Sequence, residues 1–183
     1  MARHKIAYIA GIDTDIALIE QGLSGLDYEM SIDICSSPGE AIEAIRGADV
    51  IIDIGVEMPR QVIEQIDTAK AIVNIGHGFD SIDHVAATDQ GVMVVNTAGF
   101  VTEEVANHTI MMLLACARKL TILRDLVRAG RWGPDTDAQY PGMPEIYGQV
   151  LGLVGLGNIA RATAARARTF GLDIIAYDPY VQP

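Results

Sequence analysis

Cysteine is scarce in this 183-residue chain, with only Cys35 and Cys116 present. They lie far apart and fit no metal-ligand spacing, so a cysteine-built metal site is excluded. The simplest reading is two buried, reduced thiols in a cytoplasmic protein. Positive charge is also short. Thirteen Lys and Arg face 24 Asp and Glu, for a net charge of −11. Such a chain repels nucleic-acid phosphate and anionic lipid, which argues against both as partners. An anionic substrate would have to be held by local donors against the overall field. Long apolar runs are missing too. The stretch Ile110–Ala117 falls well short of the roughly 20 residues that span a bilayer. Arg3, His4 and Lys5 ahead of the apolar Ile6–Ile12 imitate a signal peptide, but Asp13 and Asp15 interrupt it and no small-residue cleavage site follows. There is no low-complexity tract and no internal repeat.

What is present is apolar mass and rhythm. Half of the residues are hydrophobic, enough for a real core in one or two domains. Over the first hundred residues short apolar runs alternate with helical patterns. Strands are expected at Lys5–Ala10, Tyr28–Cys35, Val50–Ile54, Ala71–Ile75 and Val92–Val95. Helices are expected at Thr14–Leu23, Pro38–Arg46, Pro59–Ile66 and Asp83–Gln90, with Pro38 and Pro59 in first turns and Gly47 and Gly91 as stops. This βαβα order predicts a parallel, helix-flanked sheet, a flavodoxin-like lobe over residues 1–100.

Next comes one long helix, Thr102–Ala129, capped by Thr102, with Glu103 and Glu104 against the positive end of its dipole. Its centre is apolar all round, which predicts burial between lobes, in a dimer interface, or both. Residues 131–149 read as an ordered loop. A boundary near residue 100 leaves 101–183 as the linking helix and the start of a second domain.

The densest signal runs from Val150 to Tyr180. A strand ends in Gly155-Leu-Gly157-Asn158-Ile159-Ala160, a helical pattern follows, and a second strand ends at Asp178. Gly155 permits the turn, Gly157 lets backbone approach a pyrophosphate, and Ala160 suits close helix packing. The amides of Asn158 and Ile159 open a helix whose N-terminus favours a diphosphate. Asp178 follows at about the 20-residue distance of an acid that binds ribose hydroxyls. Its charge would repel a 2′-phosphate, so NAD is expected over NADP. The other reading is a plain βαβ packing turn with a surface acid. Ala162, Ala164, Ala165 and Ala167 read as close helix packing.

A second glycine loop, Asn74-Ile-Gly76-His77-Gly78-Phe-Asp80, follows an apolar run at a strand's carboxyl end, where open α/β sheets bind ligands. Exposed amides there could hold a small carboxylate. A strand-to-helix turn with Asp80 as cap fits the residues equally well. No catalytic residue is assigned: His77 and His108 carry no chemistry on this pattern alone, and His4 and His84 read as surface residues.

Three blocks together resemble the D-isomer-specific 2-hydroxyacid dehydrogenases. They are Gly76-His-Gly-Phe-Asp-Ser-Ile-Asp83, then Val95-Asn-Thr-Ala-Gly99 running into Thr102–His108, and Leu151–Ala160 with Tyr177-Asp-Pro-Tyr180. The resemblance implies a substrate lobe, a linking helix that also dimerises, and a Rossmann lobe, of which the first βαβ part is present. It implies that Gly76, His77 and Gly78 hold the carboxylate of a small 2-hydroxy or 2-keto acid, and that Gly155, Gly157, Asn158, Ile159 and Asp178 hold NAD. It leaves His77 open as a substrate or nicotinamide contact. Ala98 replaces the usual proline of the N-T-P-G block. Asn74 stands where phosphoglycerate dehydrogenases tend to carry an arginine, which speaks against that substrate.

The family's catalytic arginine, carboxylate and histidine lie beyond the second Rossmann strand. The resemblance therefore implies a fragment, a truncated product or one piece of a split enzyme, inactive alone, with an apolar sheet face and a strand edge left bare. Two rivals stand beside it: a non-catalytic NAD(H)-binding or protein-interaction module of the same fold, and a chain without function.

Overall fold

A computed structural model describes residues 3–182 of the chain. The chain forms two compact units, one up to Ala98 and one from Gly99 onward.

The first unit has five strands: β1 (His4–Ala10), β2 (Tyr28–Ile34), β3 (Val50–Ile54), β4 (Ala71–Asn74) and β5 (Met93–Asn96). All pair in parallel, in the order β2-β1-β3-β4-β5. This is the flavodoxin-like order. Parallel sheets are covered on both faces, so their inner strands are apolar throughout. Accordingly Ile6 to Ala10 are all buried. Ala7, Ile9, Ile51 and Ile72 face one side, against α2 (Pro38–Ala44), α3 (Arg60–Ile63) and α4 (His84–Asp89). Ile6, Tyr8, Ala10 and Ile52 face the other, against Ile16, Ile19 and Leu23 around α1 (Ala17–Gly22). Each fully buried isoleucine stabilises the unit by about 1.5–3 kcal/mol.

The expected helices of this unit are all found, and all are shorter than their patterns. Pro59 is the N-cap of α3 rather than a first-turn residue. The cap of α4 is Asp83, whose side chain accepts from the Ala86 amide, and not Asp80. Asp83 sits three residues before that amide, the reach that an N-cap carboxylate needs.

The second unit holds α5 (Thr102–Ala117), α6 (Leu120–Arg128), a short α7 (Pro134–Asp137) inside the expected loop, β6 (Val150–Val154), α8 (Asn158–Thr169) and β7 (Asp173–Tyr177). The long helix expected at 102–129 is therefore two. Lys119 breaks it, with φ 50° and ψ 38° in the left-handed region. No glycine or proline marks the break. The ammonium of Lys119 donates to the carbonyls of Gln139 (2.9 Å) and Pro141 (3.2 Å), and these charge-assisted bonds offset a conformation costing about 1–2 kcal/mol. Thr102 is the first helical residue, not the cap, and its neighbour Val101 makes no capping bond.

Strands β6 and β7 pair in parallel. Ile110, Ala167 and Leu172 form a small core with Leu113, Leu114, Leu151 and Ile174. Ala164 is also buried, whereas Ala165 is exposed. The opposite face of the pair is bare: Val150, Ile175 and Tyr177 are exposed, and Val154 is 95% exposed. Helix α5 is not buried all round either. Met111, Met112 and Cys116 are exposed, because only the Ile110–Leu114 face meets the unit's core. Of the two thiols, only Cys35 is buried.

Candidate functional site

The two glycine loops carry the candidate chemistry, one in each unit. In the second unit β6 runs into Gly155, whose φ of +92° only glycine adopts without strain. Its N–H donates to the Tyr177 carbonyl at 2.7 Å, which closes the end of the strand pair. Gly157 is the N-cap of α8 in extended backbone, with no side-chain cap. A Cβ at Gly157 would meet no protein atom within 4 Å. Neither conformation nor packing among the described residues demands glycine there, which leaves space for a group that approaches from outside. The open amides at the start of the 12-residue α8, beginning at Asn158 and Ile159, sit at the positive end of its dipole.

Asp178 reaches this turn. Its Oδ2 accepts from the Leu156 amide at 2.7 Å and its Oδ1 from the Tyr180 amide at 2.8 Å. The Leu156 bond first, then the Tyr180 bond, hold its carboxyl below the usual range. The carboxylate retains capacity to accept from a further donor. These residues fit a dinucleotide: space beside Gly157, an uncapped helix start, and an ionised acid next to the turn.

Arg166 ties helix α8 to α5. Its Nε donates to Asn107 Oδ1 at 2.6 Å, its Nη1 to the Ala162 carbonyl, and its Nη2 pairs with Glu103 on α5. The sequence suggested only a dipole role for Glu103, and nothing in the spacing announced this bridge.

In the first unit, the loop after β4 lies at the carboxyl ends of the strands. Asn74 and Asn96 are register partners on β4 and β5. Asn74 Nδ2 donates to the Gly78 carbonyl at 2.7 Å and Asn96 Nδ2 to the His77 carbonyl at 2.8 Å. The N–H and hydroxyl of Thr97 both donate to the Gly76 carbonyl at 3.1 Å. Asn74 is only 4% exposed, so it serves the loop rather than solvent. A Cβ on Gly76 would lie 3.1 Å from Asn74 Oδ1, which explains the glycine by closeness rather than by backbone angle. Gly78 has the Asp80 carboxylate beside it. His84 stacks edge-on against Phe79, and His108 is exposed on α5.

Asp53, near the end of β3, went unremarked in the sequence, although an acid inside the apolar run Val50–Ile54 was the available signal. It is wholly buried. Oδ1 accepts from the Val56 amide at 3.0 Å, and Oδ2 has no partner among the described residues. Desolvation raises its pKa from 3.8 to about 6, against the Val56 bond and with a small push from Glu57. Among the described residues no group of three or more His, Cys, Asp or Glu is placed to hold a metal, and no helix is long and apolar enough to cross a membrane.

A strand, glycine turn, helix and acid-tipped strand in this geometry define the opening βαβ unit of a dinucleotide-binding α/β protein. Residues 110–183 match the family described as D-isomer specific 2-hydroxyacid dehydrogenase, NAD binding domain. The chain carries part of this superfamily's NAD-binding domain over those residues, and NAD(H) is the cofactor of that domain. It is 38% identical over 143 residues to a D-3-phosphoglycerate dehydrogenase of Methanocaldococcus jannaschii, covering 78% of this chain and 26% of that one. It is 31% identical over 181 residues to a glyoxylate reductase of Thermofilum pendens, covering 97% of this chain and 53% of that one. Among solved structures, an acyclic imino acid reductase in complex with NADPH and D-Arg superposes with a TM-score of 0.82 at 26% identity, over 98% of this chain and 57% of that one. The chain thus spans about half the length of the glyoxylate reductase and a quarter of the phosphoglycerate dehydrogenase.

Proposed function

We propose that this chain is the substrate lobe and the first part of the NAD lobe of an oxidoreductase that interconverts a D-2-hydroxyacid and its 2-keto acid. The observation that carries the reading is the contact of Asp178 with the Gly155–Gly157 turn, which gathers acid, glycines and helix start at one end of β6 and β7. When bound, NAD exchanges a hydride with the substrate carbon.

The chain's own residues do the holding. Gly155 and Gly157 admit the diphosphate, and the Asn158 and Ile159 amides bind it. Asp178 accepts from the adenosine ribose and repels a 2′-phosphate, so NAD is preferred over NADP. The loop Gly76, His77 and Gly78 holds the substrate carboxylate by backbone N–H groups. No residue of this chain is assigned as the acid or base that moves the substrate's hydroxyl proton. The 183-residue chain therefore binds NADH without appreciable turnover. Helices α5 and α6 carry exposed Met111, Met112, Leu120, Ile122 and Val127, which supports a homodimer through residues 102–129.

The test is a steady-state assay of the chain with NADH and glyoxylate, hydroxypyruvate or pyruvate, beside a fluorescence titration with NADH. Saturable binding without NADH consumption is expected. Robust consumption would overturn the claim of inactivity, and absent binding would overturn the cofactor assignments. A folded dimer that binds NADH and a protein partner, yet stays inactive when joined to the rest of a relative's catalytic lobe, would favour an interaction module instead.

A further inference from the structure

We infer that Asn74, Asn96 and Thr97 are positioning residues whose task is to turn the amides of the 76–79 loop toward a 2-keto acid carboxylate. The inference rests on the substrate reading proposed above and gives roles to three residues outside it.

Three consecutive carbonyls, those of Gly76, His77 and Gly78, are each taken by a donor from the ends of β4 and β5. A trans peptide is planar, and its C=O and following N–H point in opposite directions. No cis peptide occurs among the described residues. Fixing the carbonyls of His77 and Gly78 inward therefore turns the N–H groups of Gly78 and Phe79 outward, side by side. Adjacent amides on one side of a loop make an anion-binding concavity. The same bonds draw the carbonyls, which would repel a carboxylate, away from the ligand.

The strand register sets the spacing of the device. Asn74 and Asn96 are paired across β4 and β5, and each takes one of two successive carbonyls. Thr97 holds the loop's first carbonyl by two donors, one from its backbone and one from its hydroxyl. The three side chains are neutral. Glycine at 76 belongs to the same device, since a Cβ there would press on the Asn74 amide at 3.1 Å from its Oδ1.

The test is amide and carbonyl NMR of the chain titrated with oxamate, an unreactive analogue of a 2-keto acid, against chloride at equal ionic strength. In the wild type, oxamate is expected to shift the Gly78 and Phe79 amides saturably. Asn96→Leu removes one donor at similar volume and is expected to weaken that binding about five- to tenfold. Thr97→Val is expected to weaken it about two- to fivefold, and Thr97→Ser to restore it. Should Asn96→Leu fail to fold, the Thr97 pair carries the same comparison. Wild-type affinity in both Asn96→Leu and Thr97→Val would overturn the positioning role. A wild type that ignores oxamate, while the His77 carbonyl signal moves in Asn96→Leu, would instead refute the carboxylate site and with it the purpose of the clamp.

Discussion

The backbone amide of Leu156 donates to Oδ2 of Asp178 at 2.7 Å, so the acid at the end of β7 braces the glycine turn at the end of β6. Because amide bonds keep this carboxyl below the usual range, it stays charged well into mild acid. Asp178→Ala removes both the brace and the proposed ribose acceptor. It should weaken NADH binding about tenfold and bring NADPH affinity closer to that of NADH. Fluorescence titration with each cofactor measures this, and unchanged affinities would contradict it.

Asp53 should give the first unit a pH-dependent stability. Its folded pKa of about 6 lies above the ordinary 3.8, so the folded state binds the proton more tightly than the unfolded state does. The associated stabilisation is complete below pH 3.8 and is lost as pH rises through about 6. At about 1.4 kcal/mol per unit, the loss amounts to at most about 3 kcal/mol. Asp53→Asn cannot ionise. Urea denaturation of both proteins from pH 4 to 8 should show the wild type losing stability relative to Asp53→Asn across this window. A constant difference would argue that Asp53 titrates normally.

Lys119 ties the α5–α6 break to the 139–141 segment. Lys119→Met deletes both ammonium bonds while keeping a left-handed backbone, and should destabilise the second unit by about 2 kcal/mol. Lys119→Gly relieves the backbone and should fall between this variant and the wild type. Urea melts followed by circular dichroism rank the three, and equal midpoints would deny the bonds any energetic weight.

If the exposed methionines of α5 lie in a homodimer interface, a charge at Met112 has to be buried there unpaired. Met112→Glu should then convert the dimer to monomer, read as a halved mass in light scattering. An unchanged mass would place the interface elsewhere.

The sheet was legible because its strands are short apolar runs divided by helical patterns, and because Gly155, Gly157 and Asp178 keep a fixed spacing. Helix ends were less so. Asp83 and Asp80 offer the same carboxylate, and only the folded backbone shows which one reaches the Ala86 amide. The break at Lys119 was hidden because its cause lies about twenty residues away, in carbonyls that the ammonium meets only after folding. The bond from Asn96 to His77 and the bridge from Arg166 to Glu103 have the same character: sequence-distant partners with no local period. Burial of Asp53 broke the rule that acids stay wet, and an apolar run around one acid does not state which side prevails.

The bridge made by Arg166 has a kinetic consequence. The helix whose first turn would receive the diphosphate in the proposed reading is tied to a glutamate and an asparagine on a different helix. Substituting Glu103, which is not among the proposed nucleotide-binding residues, would loosen that tie and, if the proposed site is right, is expected to register first in how fast the dinucleotide leaves.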